Sequence, residues 1–244
     1  MSKKYSVITY NDGDNRTTRA DQISKILADY SPDVFGLQET QEIHLPVYKN
    51  NLEIYDYVYY DNDGTTYNSQ PIFYKRDKFV LLECGIKWIS DTPDKKFSKY
   101  TESAYVRSYT YALLKDKENG AQFLAVNTHI DYMPAANVKQ IERLIELTKK
   151  DFSGVPVFYT GDWNMRRQSQ GYKTLLEAGF VATEEMVEGA KKDGTCVSGE
   201  DKTIDFCFVD QNTIKGVAYH VINDHELAKT ASDHYAVYTE IELI

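Results

Sequence analysis

Short apolar runs, each closed by a turn signal and a polar side chain, recur from one end of the chain to the other. Residues 155–160 form the plainest one, where bulky strand-forming residues stop at Gly161 and Asp162-Trp163-Asn164 follows. Residues 5–10 run likewise into Asn11-Asp12-Gly13, residues 33–37 into Gln38-Glu39, and residues 123–128 into His129. Further strands are predicted over 55–60, 106–114, 203–209, 214–222 and 235–243, with 71–75 and 79–83 as a pair around Arg76-Asp77-Lys78. Helical spacing appears in three places. Ile23, Ile26, Leu27 and Tyr30 share one face over residues 18–30, and Pro32 ends that helix. Val138, Ile141, Leu144, Ile145 and Thr148 do the same over 137–150, with Lys149-Lys150 at the C-terminal end, where cations suit the helix dipole. A shorter helix is predicted near 172–178, and residues 181–202 are polar and irregular.

This alternation predicts an α/β fold, and the strand, helix, strand order over 123–160 is a crossover unit that covers one sheet face. No Pro/Gly/Ser-rich linker or repeat divides the 244 residues, and 42% hydrophobic content supplies a large core, so a single domain over 1–244 is expected. The net charge of −9 opposes tight, non-specific DNA binding. Cys84, Cys196 and Cys207 show no C-x-x-C spacing, which speaks against a disulfide framework or a thiolate zinc site. Met1-Ser2-Lys3-Lys4 leads straight into a strand, and no apolar run approaches membrane-spanning length. A cytoplasmic monomer is the expectation, or a secreted one if a signal was removed.

Asp162 and Asn164 leave their strand together, offering a carboxylate and an amide to a hard cation, a water or a phosphate oxygen. An ordinary Asx turn uses the same residues. Glu39 at a buried strand end is solvated, paired or bound to metal, and His129 is structural or catalytic. Asp205, set among apolar neighbours, needs a partner such as histidine. Asp233-His234 puts an anion beside a group that exchanges protons near neutrality. Arg107 starts one strand, and Arg166 and Arg167 follow Asn164. Lys95, Lys96 and Lys99, interleaved with Phe97 and Tyr100, read as a solvated connection or as contacts for nucleic acid. Asp61-Asn62-Asp63-Gly64 opens like a calcium loop but lacks the acidic twelfth position, so it reads as a hairpin tip.

Taken in order, Asn11, Gln38-Glu39, Asn127-Thr128-His129, Gly161-Asp162-Trp163-Asn164, Ile204-Asp205 and Ser232-Asp233-His234 make the chain resemble the endonuclease/exonuclease/phosphatase superfamily over nearly its whole length. That superfamily includes DNase I-like nucleases, abasic-site endonucleases, polyadenylate-shortening enzymes, neutral sphingomyelinases and inositol polyphosphate 5-phosphatases. The resemblance implies a four-layer α/β/β/α sandwich of two packed mixed sheets. It also implies a phosphoester hydrolase, a nuclease, phosphodiesterase or phosphatase, dependent on Mg²⁺ or Mn²⁺. Glu39 would be the main metal carboxylate, with Asn11 and Asp233 near the ion or its waters. Asp162 would orient or deprotonate the attacking water, and Asn164 would hold a phosphate oxygen. His234, paired with Asp205, would contact the phosphate or act as base. His129 would attend the leaving oxygen, and Arg107 would offset phosphoryl charge.

One position departs from the pattern. Many nuclease members carry a glutamate shortly before the strand matched by residues 71–74, paired with the equivalent of His129, and here Asn68 stands there. An amide stabilises an imidazolium less than a carboxylate does, so His129 is expected to be less basic, and Asn68 is either a phosphate ligand or a loop residue. The substrate class implied is a phosphorylated small molecule or a short oligonucleotide. A catalytically silent binding module, an interaction protein with its 20 Tyr, and a sphingomyelinase-like lipid hydrolase are the other readings, the last requiring a protruding apolar hairpin that is not evident.

Overall fold

The computed structural model describes residues 3–13, 17–64, 68–198 and 202–244, so Met1-Ser2 and residues 199–201 of the irregular stretch lie outside it. Two six-stranded mixed sheets are formed. The first runs in the order β11 (Ile214–Ile222), β12 (Ala236–Leu243), β1 (Lys4–Asn11), β2 (Val34–Gln38), β4 (Ile72–Lys75) and β3 (Tyr55–Val58). The second runs β5 (Phe79–Trp88), β6 (Ser108–Asp116), β7 (Gln122–His129), β8 (Val157–Asp162), β10 (Asp205–Asp210) and β9 (Phe180–Ala182). Strands buried on both faces read as continuous apolar runs, which is why β2 and β8 carry hardly a polar residue before their last positions.

Three apolar layers follow from this arrangement. Tyr5, Val7, Phe123, Phe158 and Cys207 fill the space between the sheets. On the outer face of the first sheet, Ile23, Ile26 and Leu27 of α1 (Thr17–Tyr30) and Tyr48 of α2 (Leu45–Asn51) pack on Phe35 and Phe73. On the outer face of the second, Ile141, Leu144 and Ile145 of α3 (Pro134–Asp151), with Tyr172 and Leu175 of α4 (Gln170–Glu177), pack on Tyr159 and Phe208. The result is the helix, sheet, sheet, helix sandwich expected from the sequence. No helix among the described residues is long and apolar enough to cross a membrane.

The sheets approach closely beneath one edge. A Cβ at Gly36 would fall 2.4 Å from Thr160 Oγ1 and 2.5 Å from Asn127 Cγ, so only glycine lets β2 lie against β7 and β8 there. Asn127 uses the contact. Its Nδ2 donates to the carbonyls of Leu37 (2.7 Å) and Pro71 (2.9 Å), and its Oδ1 accepts from Gln38 Nε2 (2.7 Å).

Two expectations are corrected. The strands on either side of Arg76-Asp77-Lys78 do not pair with each other, since β4 joins the first sheet and β5 the second. The short link carries the chain between sheets, and apolar alternation is the same whichever sheet receives a strand. Asp61-Asn62-Asp63-Gly64 is a turn, Asp61 Oδ1 accepting from the Asp63 and Gly64 amides, within the long connection that joins the antiparallel pair β3 and β4. Residues 181–202 are not wholly irregular, because they contain the end of β9 and a short helix, α5 (Thr183–Met186).

Candidate active site

Parallel pairing decides where the polar residues gather. β1 pairs in parallel with β2, bringing Asn11 opposite Gln38, and β7 with β8, bringing His129 opposite Asp162. Antiparallel β10 begins at Asp205, again opposite Asp162. All these ends open on one edge of the sandwich, where a cleft of about 590 Å³ is lined by Glu39, Asn68, Arg107, His129, Asp162, Asn164, Asp233 and His234 among others.

Asp162 is at the centre. Its Oδ2 accepts from Asn11 Nδ2 at 3.0 Å and its Oδ1 from the Asn164 amide at 2.9 Å. Asn11 Nδ2 also reaches Glu39 Oε1 at 3.1 Å, while its Oδ1 accepts from the Gly13 amide, so Asn11 turns its donor toward both carboxylates and brackets them. Glu39 and Asn164 both adopt left-handed backbone angles, φ 58° and 46°, and such strain collects at functional sites. Burial, then the neighbouring Asp205 charge, raises the proton affinity of Asp162, against the opposing pull of His234.

The two histidines are held in opposite states. His234 Nδ1 lies 2.9 Å from Asp205 Oδ2, and its Nε2 is 4.0 Å from Asp162 Oδ2. Burial works to lower its pKa, but the carboxylates of Asp205, Asp162 and Asp233 together outweigh burial and hold it well above the ordinary value. His129 is held well below its ordinary value by burial, then by the nearby charges of Arg107 and His234. Its Nε2 accepts from Asn164 Nδ2 at 3.0 Å, which leaves the proton on Nδ1. That Nδ1 has no hydrogen-bond partner among the described residues, and Glu39 Oε1 stands 3.9 Å away.

Arg107, immediately before β6, is 3% exposed, and its Nε and Nη1 have no hydrogen-bond partner among the described residues. Burial lowers its pKa, partly offset by Asp162, Asp131 and Glu39. A buried guanidinium with unused donors is a strong site for a phosphate or carboxylate group. Asn68 borders the same cleft with a buried Oδ1 that is likewise unpartnered among the described residues.

Other sequence candidates stand outside the central cluster. Asp233 is at the rim with a 70% exposed side chain, 3.9 Å from Arg19 Nη1, apart from the tight cluster. Arg167 is locked to Glu184 at 2.7 and 2.8 Å, and Lys99 donates to the carbonyls of Ser103 and Ala104. Neither Lys95, Lys96 nor Lys99 lines the cleft, and Lys202 does. The sequence reading missed Lys202 and also Tyr105, Tyr132, Cys196 and Ser198, all on loops where no strand period points inward. It missed the buried Asp12 and His44 pair as well, with Oδ2 to Nδ1 at 3.1 Å, which ties the loop after Asn11 to the turn after Glu39.

The donor set fits a hard divalent cation. Ligand atoms of Glu39, His129 and Asp162 lie within 4.8 Å of one another; those of Asp162, Asp205 and His234 are as close, but a His234 held charged has no lone pair to offer a metal. A carboxylate such as Asp162, buried with its charge disfavoured, is a group that a cation would stabilise.

Known proteins resemble the chain in sequence and in fold. A profile described as the Endonuclease/Exonuclease/phosphatase family matches residues 9–234. Protein angel of Drosophila melanogaster is 26% identical over 166 residues, 65% of this chain and 46% of that protein. The probable CCR4-Not complex 3'-5'-exoribonuclease subunit Ccr4 of Encephalitozoon cuniculi is 29% identical over 188 residues, 66% of this chain and 37% of that one. The chain thus spans less than half the length of these relatives. Among solved structures, a mannosyl-6-phosphatase of Bacteroides thetaiotaomicron is 27% identical with a TM-score of 0.88, covering 98% of this chain and 99% of that one.

Proposed function

The chain belongs to the endonuclease/exonuclease/phosphatase family, and from that premise we propose that it is a Mg²⁺- or Mn²⁺-dependent phosphatase that hydrolyses monoesters of a small phosphorylated molecule. The observation that carries the reading is the buried Arg107 guanidinium, whose Nε and Nη1 lack partners among the described residues, in the same cleft as a His234 held charged and otherwise rich in carboxylates. Those two cations give a phosphate a place among groups that would repel it. Similarity to a mannosyl-6-phosphatase over nearly the whole length supports a monoester. The overall charge of −9 weighs against a long polyanion. A short oligonucleotide is the second reading, favoured by the likeness to a probable exoribonuclease.

Glu39 would be the main ligand of the cation, with Asp162 and water oxygens near it, and the bound cation would polarise a phosphoryl oxygen and acidify a water. Asp162, fixed by Asn11 and the Asn164 amide, has the raised proton affinity that suits taking a proton from the attacking water. His234 and Arg107 would hold the phosphoryl oxygens as charge builds on them, and Asn164, whose side chain donates to His129 and to the Ile130 carbonyl, would position His129. His129, neutral with its proton on Nδ1, would offer a hydrogen bond near the leaving oxygen rather than act as a strong acid. The water oxygen joins phosphorus as its proton passes to Asp162, the ester P–O bond breaks, and the departing alkoxide takes up a proton from solvent water. Asn11 and Asp205 position the carboxylate and the imidazole respectively.

The test is hydrolysis of p-nitrophenyl phosphate and bis(p-nitrophenyl) phosphate with Mg²⁺, Mn²⁺ or EDTA, for the native protein and for Glu39→Ala and His234→Ala. Metal-dependent turnover that favours the monoester and is lost in both variants is expected. Preference for the diester would move the reading to a nuclease, and turnover unaffected by EDTA would refute it.

A further inference from the structure

The cleft has an aromatic corner that the chemistry above does not use. Tyr105 and Tyr132 are 53% and 52% exposed, and their rings meet edge to face, 61° apart with centroids at 6.1 Å. Both line the cleft that holds Arg107, His129 and Asn164. Neither ring is on a loose segment. The buried Asp131 accepts from the Tyr105 amide on Oδ2 (3.0 Å) and from the Met133 amide on Oδ1 (2.9 Å), so one carboxylate fixes both loops. Two large aromatic side chains held half in water beside a phosphate slot are surface waiting for a ligand to cover it.

Their geometry narrows the ligand. Tyr105 precedes Arg107 by two residues, and the Arg107 guanidinium carbon lies 5.3 Å from the Tyr105 ring centroid. A group joined to a phosphate at Arg107 therefore meets the corner directly. Rings at 61° do not offer the parallel faces between which a flat base stacks. They fit a puckered ring whose C–H groups point in more than one direction. The same cleft carries Ser198, Lys202 and Asn68, whose Oδ1 has no partner among the described residues, groups that bond hydroxyls. Resting on the phosphatase reading, we propose that Tyr105 and Tyr132 form the subsite for the sugar ring of a phosphorylated monosaccharide.

The experiment compares kcat/KM with Mg²⁺ for a hexose 6-phosphate, glycerol 3-phosphate and a nucleoside 5'-monophosphate. The native protein, Tyr132→Phe and Tyr132→Ala are used, each checked for folding by circular dichroism. Tyr105 is left intact because its ring lies against Arg107. The native protein should prefer the hexose phosphate to both others. Tyr132→Ala should lower the hexose-to-glycerol ratio about five- to tenfold, mainly through KM, and Tyr132→Phe should keep most of it. A ratio unchanged in Tyr132→Ala, or a native preference for the nucleotide, overturns the subsite while leaving the hydrolase reading in place. Turnover of no phosphate ester by the native protein overturns both.

Discussion

Asn11 and Asp162 lie 151 residues apart in the chain, and Asn11 Nδ2 donates to Asp162 Oδ2 at 3.0 Å, joining the ends of one strand from each sheet. The same amide nitrogen reaches Glu39, so the two carboxylates most important to the proposed chemistry share one donor. Asn11→Ala should leave both without it. We expect kcat to fall at least about tenfold, with a stability loss of about 1–3 kcal/mol measured by urea denaturation.

Gly36→Ala tests how the sheets meet. A methyl group 2.4 Å from Thr160 Oγ1 and 2.5 Å from Asn127 Cγ forces β2 away from β7 and β8. The expected cost is about 1–3 kcal/mol, read as a lower urea midpoint with an unchanged slope. A neutral result would mean that the sheets can part without loss.

Much of this edge is legible in the sequence, because a strand that ends at a glycine or an amide delivers its next side chain to the sheet's mouth. Glu39 after Gln38 and Asp162 after Gly161 follow that rule, Asn11 and His129 close their own strands, and Asp205 and His234 stand at or just before the start of theirs, and the structure brings all six together. What the period does not encode is which sheet receives a strand, so the separation of β4 from β5 was invisible. Gly36 looks like an ordinary strand residue and Asn127 stands out only as part of a motif, since their roles depend on a neighbour in the opposite sheet. Loop residues such as Tyr105, Tyr132 and Lys202 have no period at all, and Asp131, which anchors two loops, reads locally as a turn residue.

His234 and His129 should titrate in opposite directions. In EDTA, imidazole NMR signals should show His234 losing its proton well above, and His129 well below, the ordinary value of about 6.5. Asp205→Asn should bring the His234 titration down. Because the folded pKa of His234 exceeds its unfolded value, its contribution to stability is complete below about pH 6.5 and fades as pH rises through the raised value. The melting-point gap between native protein and Asp205→Asn should therefore narrow with rising pH.

Arg107→Met removes a buried charge whose Nε and Nη1 lack partners among the described residues. Inorganic phosphate should raise the melting temperature of the native protein and have little effect on the variant, and its inhibition constant should weaken at least about tenfold. Equal phosphate stabilisation of both would place the anion elsewhere.

The most direct test of the central claim is hydrolysis of a phosphate monoester in ¹⁸O-labelled water with Mg²⁺, comparing the native protein with Asp162→Asn. Water attack on phosphorus at this cleft predicts one ¹⁸O in each inorganic phosphate released, and a rate at least about a hundredfold lower in the variant. Label in the alcohol instead, or an unchanged rate in Asp162→Asn, would contradict it.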